Sequence, residues 1–252
     1  MGIYCVTGSA RGIGGAIRAR IEAEGHTVIG VDLSGQEVVA DLSTPDGRTG
    51  AIAAIEAAAG DVLDGLVVCA GLPPTFTPTG AIAQVNYFAA VELLDALRPR
   101  LEAAESGSAV AISSNSLGTV PEADAPLMGP LLAGDLEAAM AAAAALHGTQ
   151  VYGMSKRALA RAVRHRAPSW AEAGVRLNAV APGAIQTALL QATLDDAEIG
   201  RFVEDFPIPV GRRGTVGDIA EAVWFVLEAT FMVGSVVFVD GGSDALMRPD
   251  VV

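Results

Sequence analysis

The sequence predicts an α/β fold: a single domain built on a doubly wound, mostly parallel sheet of seven strands. Three observations support this prediction. Short apolar segments alternate with longer alanine-rich segments along the chain, and a glycine-rich turn follows the first apolar segment directly. The apolar segments are continuous runs, as expected for strands that helices cover on both faces. Parallel strands joined in this way require right-handed crossovers, which gives a Rossmann-like arrangement over residues 1–252.

The pattern locates six strands and five main helices. The first strand, Ile3–Val6, leads into a helix over Gly12–Glu24, and Gly25 ends that helix, as a glycine after a helix often does. In the same way the second strand, Val28–Val31, precedes a helix over Pro45–Ala59. The remaining strands are Leu66–Cys69, Ala109–Ser113, Val175–Val180 and Val236–Val239, and the remaining helices are Ala83–Ala104, Tyr152–Glu172 and Asp218–Leu227.

Two segments fall outside this alternation. Residues 119–150 contain a proline- and glycine-rich part and then an alanine-rich helix that begins near Asp135. Residues 184–212 carry apolar side chains around two prolines. A surface excursion is the simplest interpretation of each, but long loops in compact domains are more often lids or interaction elements. We therefore predict a helical insert at 119–150 and a substrate lid at 184–212.

Length, charge and composition limit the class of protein. A chain of 252 residues can bury a sizeable core. Its net charge of -13 argues against nucleic acids and anionic membranes as partners. The sequence has no run of about 18 apolar residues, and its two cysteines are too few for a disulfide framework. Because the first strand begins directly after Met1, with no signal-like segment, we expect a cytoplasmic protein.

The turn after the first strand has the sequence Thr7-Gly8-Ser9-Ala10-Arg11-Gly12-Ile13-Gly14. Glycines permit positive φ and close backbone approach, and the helix amino terminus offers unpaired N–H groups to an anion. This context favours the pyrophosphate of a dinucleotide. Asp32, at the end of the second strand, would accept hydrogen bonds from ribose hydroxyls and repel a 2′-phosphate, which favours NAD(H) over NADP(H). An aspartate that only forms a turn is the alternative.

The single lysine of the chain, Lys156, lies four residues after Tyr152, and every other Lys/Arg position is arginine. Positions i and i+4 share one face of a helix, so we expect the phenol and the ammonium side by side. Such a neighbour would lower the pKa of the tyrosine from about 10 toward neutrality. The alternative is a pair of surface residues on an amphipathic helix.

These residues together resemble the short-chain dehydrogenase/reductase superfamily. The matching positions run from end to end: Thr7, Gly8, Gly12, Ile13, Gly14, Asp32, Asp41, Leu42, Cys69, Ala70, Gly71, Asn86, Ser114, Tyr152, Lys156, Pro182 and Gly183. More narrowly, the chain is similar to the bacterial 3-alpha-hydroxysteroid dehydrogenase/carbonyl reductase group in segments 40–44, 85–88, 170–178, 211–213 and 239–249.

The resemblance implies a role for each catalytic position. Tyr152 is the general acid and base, Lys156 holds the nicotinamide ribose and lowers the tyrosine pKa, Ser114 binds the substrate oxygen, and Asn86 holds a water in a proton relay. Ser116 is the second choice for the serine, since it would share a face with Ser114 if the strand continued. The implied cofactor is NAD, and no metal site is predicted. The cofactor-binding residues are Gly8, Ala10, Arg11, Gly12, Ile13, Gly14, Asp32, Asp41, Leu42, Cys69, Ala70, Gly71, Tyr152, Lys156, Pro182, Gly183, Ile185 and Thr187.

The chain departs from the family pattern in two places. Cys69 stands where the family usually has asparagine, and the stretch between Ser114 and Tyr152 is much longer than usual. Because the strands of Cys5 and Cys69 are neighbours in this fold, we expect the two thiols near each other as small buried hydrophobes; a redox role is the alternative. We expect the insert to reshape the interface of a homodimer or homotetramer.

The predicted activity interconverts a secondary alcohol and a ketone on a small hydrophobic, alicyclic substrate such as a steroid. The hydrophobic character of the substrate is predicted from a lid that is apolar and lacks a charged cluster, and its alicyclic class is what the resemblance implies. The alternatives are a terpenoid alcohol, a sugar or diol, or an acyl-chain ketone as substrate, and a non-catalytic nucleotide sensor as a different class. A carboxylate clamp formed by Arg201, Arg212 and Arg213 is a further alternative.

Overall fold

The computed structural model describes residues 1–121 and 125–250, and over these residues seven strands form one sheet in which every pairing is parallel. The strands are β1 (Ile3–Thr7), β2 (Thr27–Asp32), β3 (Val38–Val39), β4 (Gly65–Val68), β5 (Ser108–Ile112), β6 (Arg176–Pro182) and β7 (Val236–Val239). Their order is β3-β2-β1-β4-β5-β6-β7. The doubly wound α/β prediction is confirmed. The sequence did not locate β3, because two residues carry no periodicity.

The helices cover both faces of this sheet. They are α1 (Gly12–Ala23), α2 (Pro45–Ala59), α3 (Thr79–Ala83), α4 (Ala90–Glu102), α5 (Met128–Ala133), α6 (Leu136–Ala144), α7 (Gly148–Glu172), α8 (Ala188–Leu194), α9 (Gly200–Glu204), α10 (Val216–Glu228) and α11 (Ser243–Met247). None of the described helices has the length and apolar character needed to cross a membrane.

The core consists of two main layers, one on each face of the sheet. Ile55 of α2, Leu97 of α4 and Leu159 of α7 belong to the larger layer. Ile17 of α1 and Val223 of α10 belong to the other. Burial of each such side chain contributes about 1.5–3 kcal/mol. The two layers together fix the carboxyl ends of the strands at a common edge.

The helix predicted over Ala83–Ala104 is instead three consecutive pieces. It begins earlier, as α3, passes through a π-helical turn at Gln84–Ala89, and continues as α4. Asn86 lies within the π turn, and its side-chain amide bonds both backbone groups of Leu72. Periodicity did not reveal this turn, because a single wide turn changes the apolar spacing very little. Such turns are frequent at functional sites.

The insert at 119–150 is part of the core and not a surface excursion. Residues 122–124 of it lie outside the described residues. Leu131 of α5 and Ala139 and Ala143 of α6 are fully buried in the larger layer. The Thr79 hydroxyl donates a 2.8 Å hydrogen bond to the carbonyl of Ala143, which ties α6 to α3. Asp135 accepts from the Ala138 N–H at 3.0 Å and caps α6 at the predicted place.

Candidate active site

The predicted site residues come together at the carboxyl edge of the sheet, where ligands bind in open α/β folds. Thr7 organises the join between β1 and β4. Its Oγ1 accepts from the backbone N–H groups of Cys69 at 2.9 Å and Ala70 at 3.0 Å. Thr7 was not among the predicted site residues, although it directly precedes Gly8. These contacts hold segment 69–71 against that turn.

The glycine turn leaves no room for a side chain at Gly8 or at Gly14. Gly8 and Gly12 have φ values of 69° and 61°. A Cβ on Gly8 would lie 2.9 Å from the Cα of Ala70, and one on Gly14 would lie 2.2 Å from the Gly8 carbonyl oxygen. Arg11, the residue before α1, makes no side-chain cap in the described structure, so the first amides of the helix point outward unpaired. This backbone cradle fits a pyrophosphate.

Asp32 closes the turn from the side of β2. Its carboxylate accepts from the backbone N–H groups of Ala10 at 3.0 Å and Leu33 at 2.7 Å. A carboxylate has about four lone-pair positions, so acceptors remain for ribose hydroxyls. Asp32 is thereby fixed beside the predicted pyrophosphate cradle.

A polar cluster behind Asp32 was not predicted. Arg18 bonds both carboxylate oxygens of Glu37 at 2.8 Å and the Gln36 side-chain oxygen at 2.7 Å, and the latter oxygen also accepts from Ser9 Oγ. The hydrogen-bonded guanidinium of Arg18 lowers the pKa of Glu37 to about 2. The only sequence signal was polar residues shortly after Asp32. The cluster fastens segment 33–37 to the glycine turn.

Asp41 and Leu42 lie on the same side of the site. The Ala40 N–H donates to the Asp32 carbonyl at 3.0 Å, which brings the following residues next to Asp32. Hydrogen bonds from the hydroxyl and N–H of Ser43 lower the pKa of Asp41, whereas Leu42 is buried. Their contact with an adenine stays a prediction.

Tyr152 and Lys156 lie one turn apart on α7, with Lys156 Nζ 5.9 Å from the centre of the tyrosine ring. Burial raises the pKa of the Tyr152 phenol above its ordinary value, and a hydrogen bond with Ser114 lowers it by less. The prediction that Lys156 brings this pKa toward neutrality is therefore wrong for the protein alone. Burial is the largest influence on this pKa, and the hydrogen bond of the Lys156 ammonium goes to the Ile112 carbonyl and not to the phenol.

Lys156 is itself buried, at 4% exposure. Its Nζ donates to the carbonyl of Ile112 at 2.8 Å, and burial lowers the pKa of the ammonium to about 8. A Cβ on Gly71 would lie 3.3 Å from Asn86 Oδ1 and 3.6 Å from Lys156 Nζ. Gly71 is therefore the point at which the π turn, the end of β4 and the lysine meet.

The three candidate serines have different contacts. Ser113 Oγ donates to the Lys156 carbonyl at 2.8 Å and ties β5 to α7. Ser114 Oγ accepts from the Ser116 N–H at 3.2 Å and interacts with the Tyr152 phenol. Ser116 Oγ is buried and has no hydrogen-bond partner among the described residues. The contact with Tyr152 favours Ser114 over Ser116 as the serine of the site.

The segment after β6 lies on the side of the site that faces the glycine turn. Gly183 donates its N–H to the Val239 carbonyl at 3.1 Å and follows Pro182, the last residue of β6. Ile185 is buried, and Thr187 Oγ1 caps α8 by accepting from the Leu190 N–H at 3.1 Å. A Cβ on Gly12 would lie 3.9 Å from Thr187 Cγ2. The glycine turn and this wall therefore face each other closely.

The expected proximity of the two cysteines is wrong. Cys5 pairs in register with Leu66, whereas Cys69 is three residues farther along the chain, just after the end of β4. Cys5 belongs to the larger core layer, whereas Cys69 packs against the layer on the other face. Burial raises the pKa of both thiols to about 12, which removes the thiolate that redox chemistry needs.

Segment 184–212 carries exposed apolar side chains but no free cluster of cations. Phe202 of α9 is 67% exposed, and its ring centre lies 6.1 Å from that of Phe206. The nearby arginines are paired: Arg212 with Asp218, Arg213 with Glu204 and Arg201 with Asp205. The segment contacts the end of the insert through Glu198, whose Oε2 is 3.6 Å from His147 Nε2. These pairings disfavour the carboxylate clamp.

Comparison with known proteins agrees with this geometry. A family model described as enoyl-(acyl carrier protein) reductase matches residues 8–244. The chain is 44% identical over 256 residues to 3-alpha-hydroxysteroid dehydrogenase/carbonyl reductase of Comamonas testosteroni, covering 99% of both proteins. The crystal structure of 3-alpha-hydroxysteroid dehydrogenase from Pseudomonas sp. B-0831, complexed with NADH, superposes with a TM-score of 0.97 at 42% identity, covering 99% of this chain and 100% of that one. Levodione reductase, with a TM-score of 0.76 at 23% identity over 96% of this chain and 97% of its own, shares the fold.

The resemblance inferred from the sequence is confirmed by the family match and by relatives aligned over nearly the full chain. The chain belongs to the short-chain dehydrogenase/reductase family of oxidoreductases.

Proposed function

We propose that the chain is an NAD(H)-dependent oxidoreductase that interconverts a secondary alcohol and a ketone on a hydrophobic alicyclic substrate, in the manner of a 3-alpha-hydroxysteroid dehydrogenase/carbonyl reductase. The observation that carries the proposal is the grouping of Ser114, Tyr152 and Lys156 beside the glycine turn. The relatives of that name support the substrate class, since they align over 99% of the chain.

NAD(H) fits the residues present. The amides of the glycine turn would hold its pyrophosphate, Asp32 the adenosine ribose, and Lys156 the nicotinamide ribose. The free acceptors of the Asp32 carboxylate disfavour a 2′-phosphate. When bound, the cofactor supplies or accepts the hydride. A relative solved with NADH supports this assignment.

In the reducing direction Tyr152 donates a proton to the carbonyl oxygen while Ser114 Oγ hydrogen-bonds the same oxygen. A raised phenol pKa keeps Tyr152 protonated at neutral pH, which suits an acid. In the oxidising direction the phenolate must form, and the Lys156 ammonium favours it. We infer that Asn86, buried beside Gly71 and the lysine, takes part in resupplying the proton.

The substrate class is supported by the walls of the cleft. Leu189 and Phe202 on segment 184–212 expose apolar surface, and the arginines there are paired with carboxylates. An apolar wall favours an alicyclic ring over an acidic or phosphorylated compound. An acyl-chain carbonyl compound is the second candidate substrate, because the matching family model is described as an enoyl-(acyl carrier protein) reductase.

The direct test measures the oxidation of NADH and of NADPH by absorbance at about 340 nm. The compounds offered for reduction are steroid, terpenoid and simple cyclic ketones and an acyl thioester. We expect turnover with NADH and a bulky cyclic ketone. We expect Tyr152→Phe to lose at least about 100-fold in kcat while binding NADH as the wild type does. Preference for NADPH would contradict the role of Asp32. A higher rate with the thioester than with any ketone would favour an acyl-chain carbonyl compound as the substrate. NADH binding without turnover of any compound would favour a non-catalytic nucleotide sensor.

We also propose that residues 1–252 act as one dehydrogenase domain, that segment 184–212 is its substrate lid, and that the protein is a homo-oligomer. The support for an oligomer is exposed apolar surface beside the edge strand β7, where Phe225 is 61% exposed and Phe231 fully exposed.

A further inference from the structure

Asp240 directly follows β7 and makes an unusual set of contacts for a turn residue. One carboxylate oxygen accepts from the Gly242 N–H at 3.0 Å. The other accepts from the Asp244 N–H at 2.6 Å and from the side-chain amide of Asn115 at 3.4 Å. Asn115 is the residue after Ser114 and is buried. A single carboxylate therefore joins the C-terminal helix α11 to the turn that presents the catalytic serine.

The backbone and Cβ of Asp240 contact a second part of the site. A Cβ on Gly183 would lie 2.7 Å from the Cβ of Asp240 and 2.8 Å from its Cα. Gly183 has to be glycine because Asp240 occupies that space. Asp240 thus lies directly behind Gly183, one of the predicted cofactor-binding residues.

The same turn holds the C-terminal base of segment 184–212. Ser243 Oγ lies 2.8 Å from the Pro207 carbonyl and 3.1 Å from the Asp240 carbonyl, and it is almost fully buried. The Val210 N–H donates to the Gly241 carbonyl at 3.0 Å. Movement of the Asp240 turn would therefore move the base of the lid.

We propose that Asp240 is a positioning residue that holds the Ser114 turn in register with the Gly183 loop and the lid base. The inference rests on the proposed function. Ser114 has to lie within hydrogen-bond distance of the substrate oxygen while the substrate is held by the other two elements. Misplacement of such a group by about 1 Å lowers rates by as much as 100-fold.

The test is a double-mutant cycle of Asp240→Ala and Asn115→Ala, with kcat for ketone reduction measured at saturating NADH and Kd for NADH measured by fluorescence. We expect each single variant to lose between about 10- and 100-fold in kcat, with Kd for NADH within twofold of wild type. The double variant should be no slower than the slower single variant, because both substitutions remove the same Asn115–Asp240 contact. The Asn115→Ala change spares the carboxylate, so it gives a result even if Asp240→Ala does not fold.

Asp64→Ala is the matched control. Asp64 also binds backbone, accepting from the Ile3 N–H at 2.7 Å, but at the opposite end of the sheet. The Asp64→Ala variant should have a lower free energy of unfolding than the wild type and the same kcat. Equal kcat in Asn115→Ala and wild type, or losses that multiply in the double variant, would overturn the proposal. A wild type that reduces no ketone would overturn the proposed function itself and this inference with it, and is recognised without any variant.

Discussion

At the scale of single residues, the site contains a buried positive charge, that of Lys156, and its burial is unfavourable for stability. Lys156 is enclosed by α7, β5 and the end of β4, and within residues 1–121 and 125–250 its ammonium has one hydrogen bond, to the Ile112 carbonyl. A buried ammonium without a counter-ion is destabilising unless other groups compensate. Hydroxyls of a bound ribose would supply further acceptors. The residue is therefore explained by binding and catalysis and not by stability.

The pKa of Lys156 predicts how stability depends on pH. The pKa is about 8 in the folded chain against an ordinary lysine value of 10.5, so the unfolded state binds more protons between these two pH values. Stability then rises with pH across that window, as the penalty is relieved. Lys156→Met should raise the free energy of unfolding at pH 7 by about 1–3 kcal/mol and abolish turnover. Urea denaturation at pH 7 and pH 9.5 should show the gain shrinking at the higher pH. A variant less stable than wild type at pH 7 would contradict this account.

At the scale of elements, chain segments that look peripheral in the sequence carry structural or binding roles. Helices α5 and α6 of the insert supply buried side chains to the core, and the π turn at Gln84–Ala89 places Asn86 beside Gly71. Apolar composition alone did not distinguish an alanine-rich surface helix from a buried one. The contact partners of the two helices decide the matter: α5 packs against α7, and α6 packs against α3, which is distant in the sequence.

Truncation of a buried insert residue tests this role. Leu131 of α5 is fully buried, and Leu131→Ala should lower the free energy of unfolding by about 2–5 kcal/mol through lost burial and a residual cavity. Its neighbour Leu132 is only partly buried, so Leu132→Ala should cost less. Chemical denaturation of both variants measures the difference. Equal, small losses would mean that the insert is separable from the core.

The exposed ring of Phe202 tests the lid. Because Phe202 packs only edge-on against Phe206 and is largely exposed, Phe202→Ala should change stability little. If the ring covers a bulky ketone, its loss should raise KM for that ketone by about 5- to 20-fold, which corresponds to the burial of one partly buried aromatic side chain. The Kd for NADH should stay unchanged. Arg201→Ala on the same helix is the control, since that side chain is 95% exposed and should leave KM unchanged. An unaltered KM for Phe202→Ala would place the substrate elsewhere.

At the scale of the whole molecule, the sequence was sufficient for the architecture and for the groups at the carboxyl edge of the sheet. Strand and helix patterns predicted six of the strands, and the helix over Pro45–Ala59 matches its predicted bounds. What escaped prediction depends on contacts between distant segments. The Arg18–Glu37 cluster, the Thr7 bonds to segment 69–71 and the link from Asp240 to Asn115 join residues that no local pattern pairs. The direction of the Tyr152 pKa failed for the same reason, since burial was invisible in the sequence.

The β7 edge of the sheet predicts how the protein assembles. At the β7 edge, Phe225 on α10 and Phe231 and Val233 before the strand expose apolar surface. A strand edge with apolar neighbours is a template for association. We expect a homo-oligomer through this edge, and the paired change Phe225→Glu and Phe231→Glu should dissociate it. Val39→Glu, on the opposite edge strand β3 and similarly exposed, is the matched control and should keep the wild-type mass.

Sedimentation velocity over a wide range of protein concentration measures the outcome. Because association stabilises by mass action, the melting temperature of the wild type should rise with concentration, and that of the double variant should not. The glutamates lie outside the Ser114–Tyr152–Lys156 group, so any loss of turnover in the dissociated variant would mean that the site depends on the assembled form. A wild type that sediments as a monomer at every concentration would contradict the assignment of this edge.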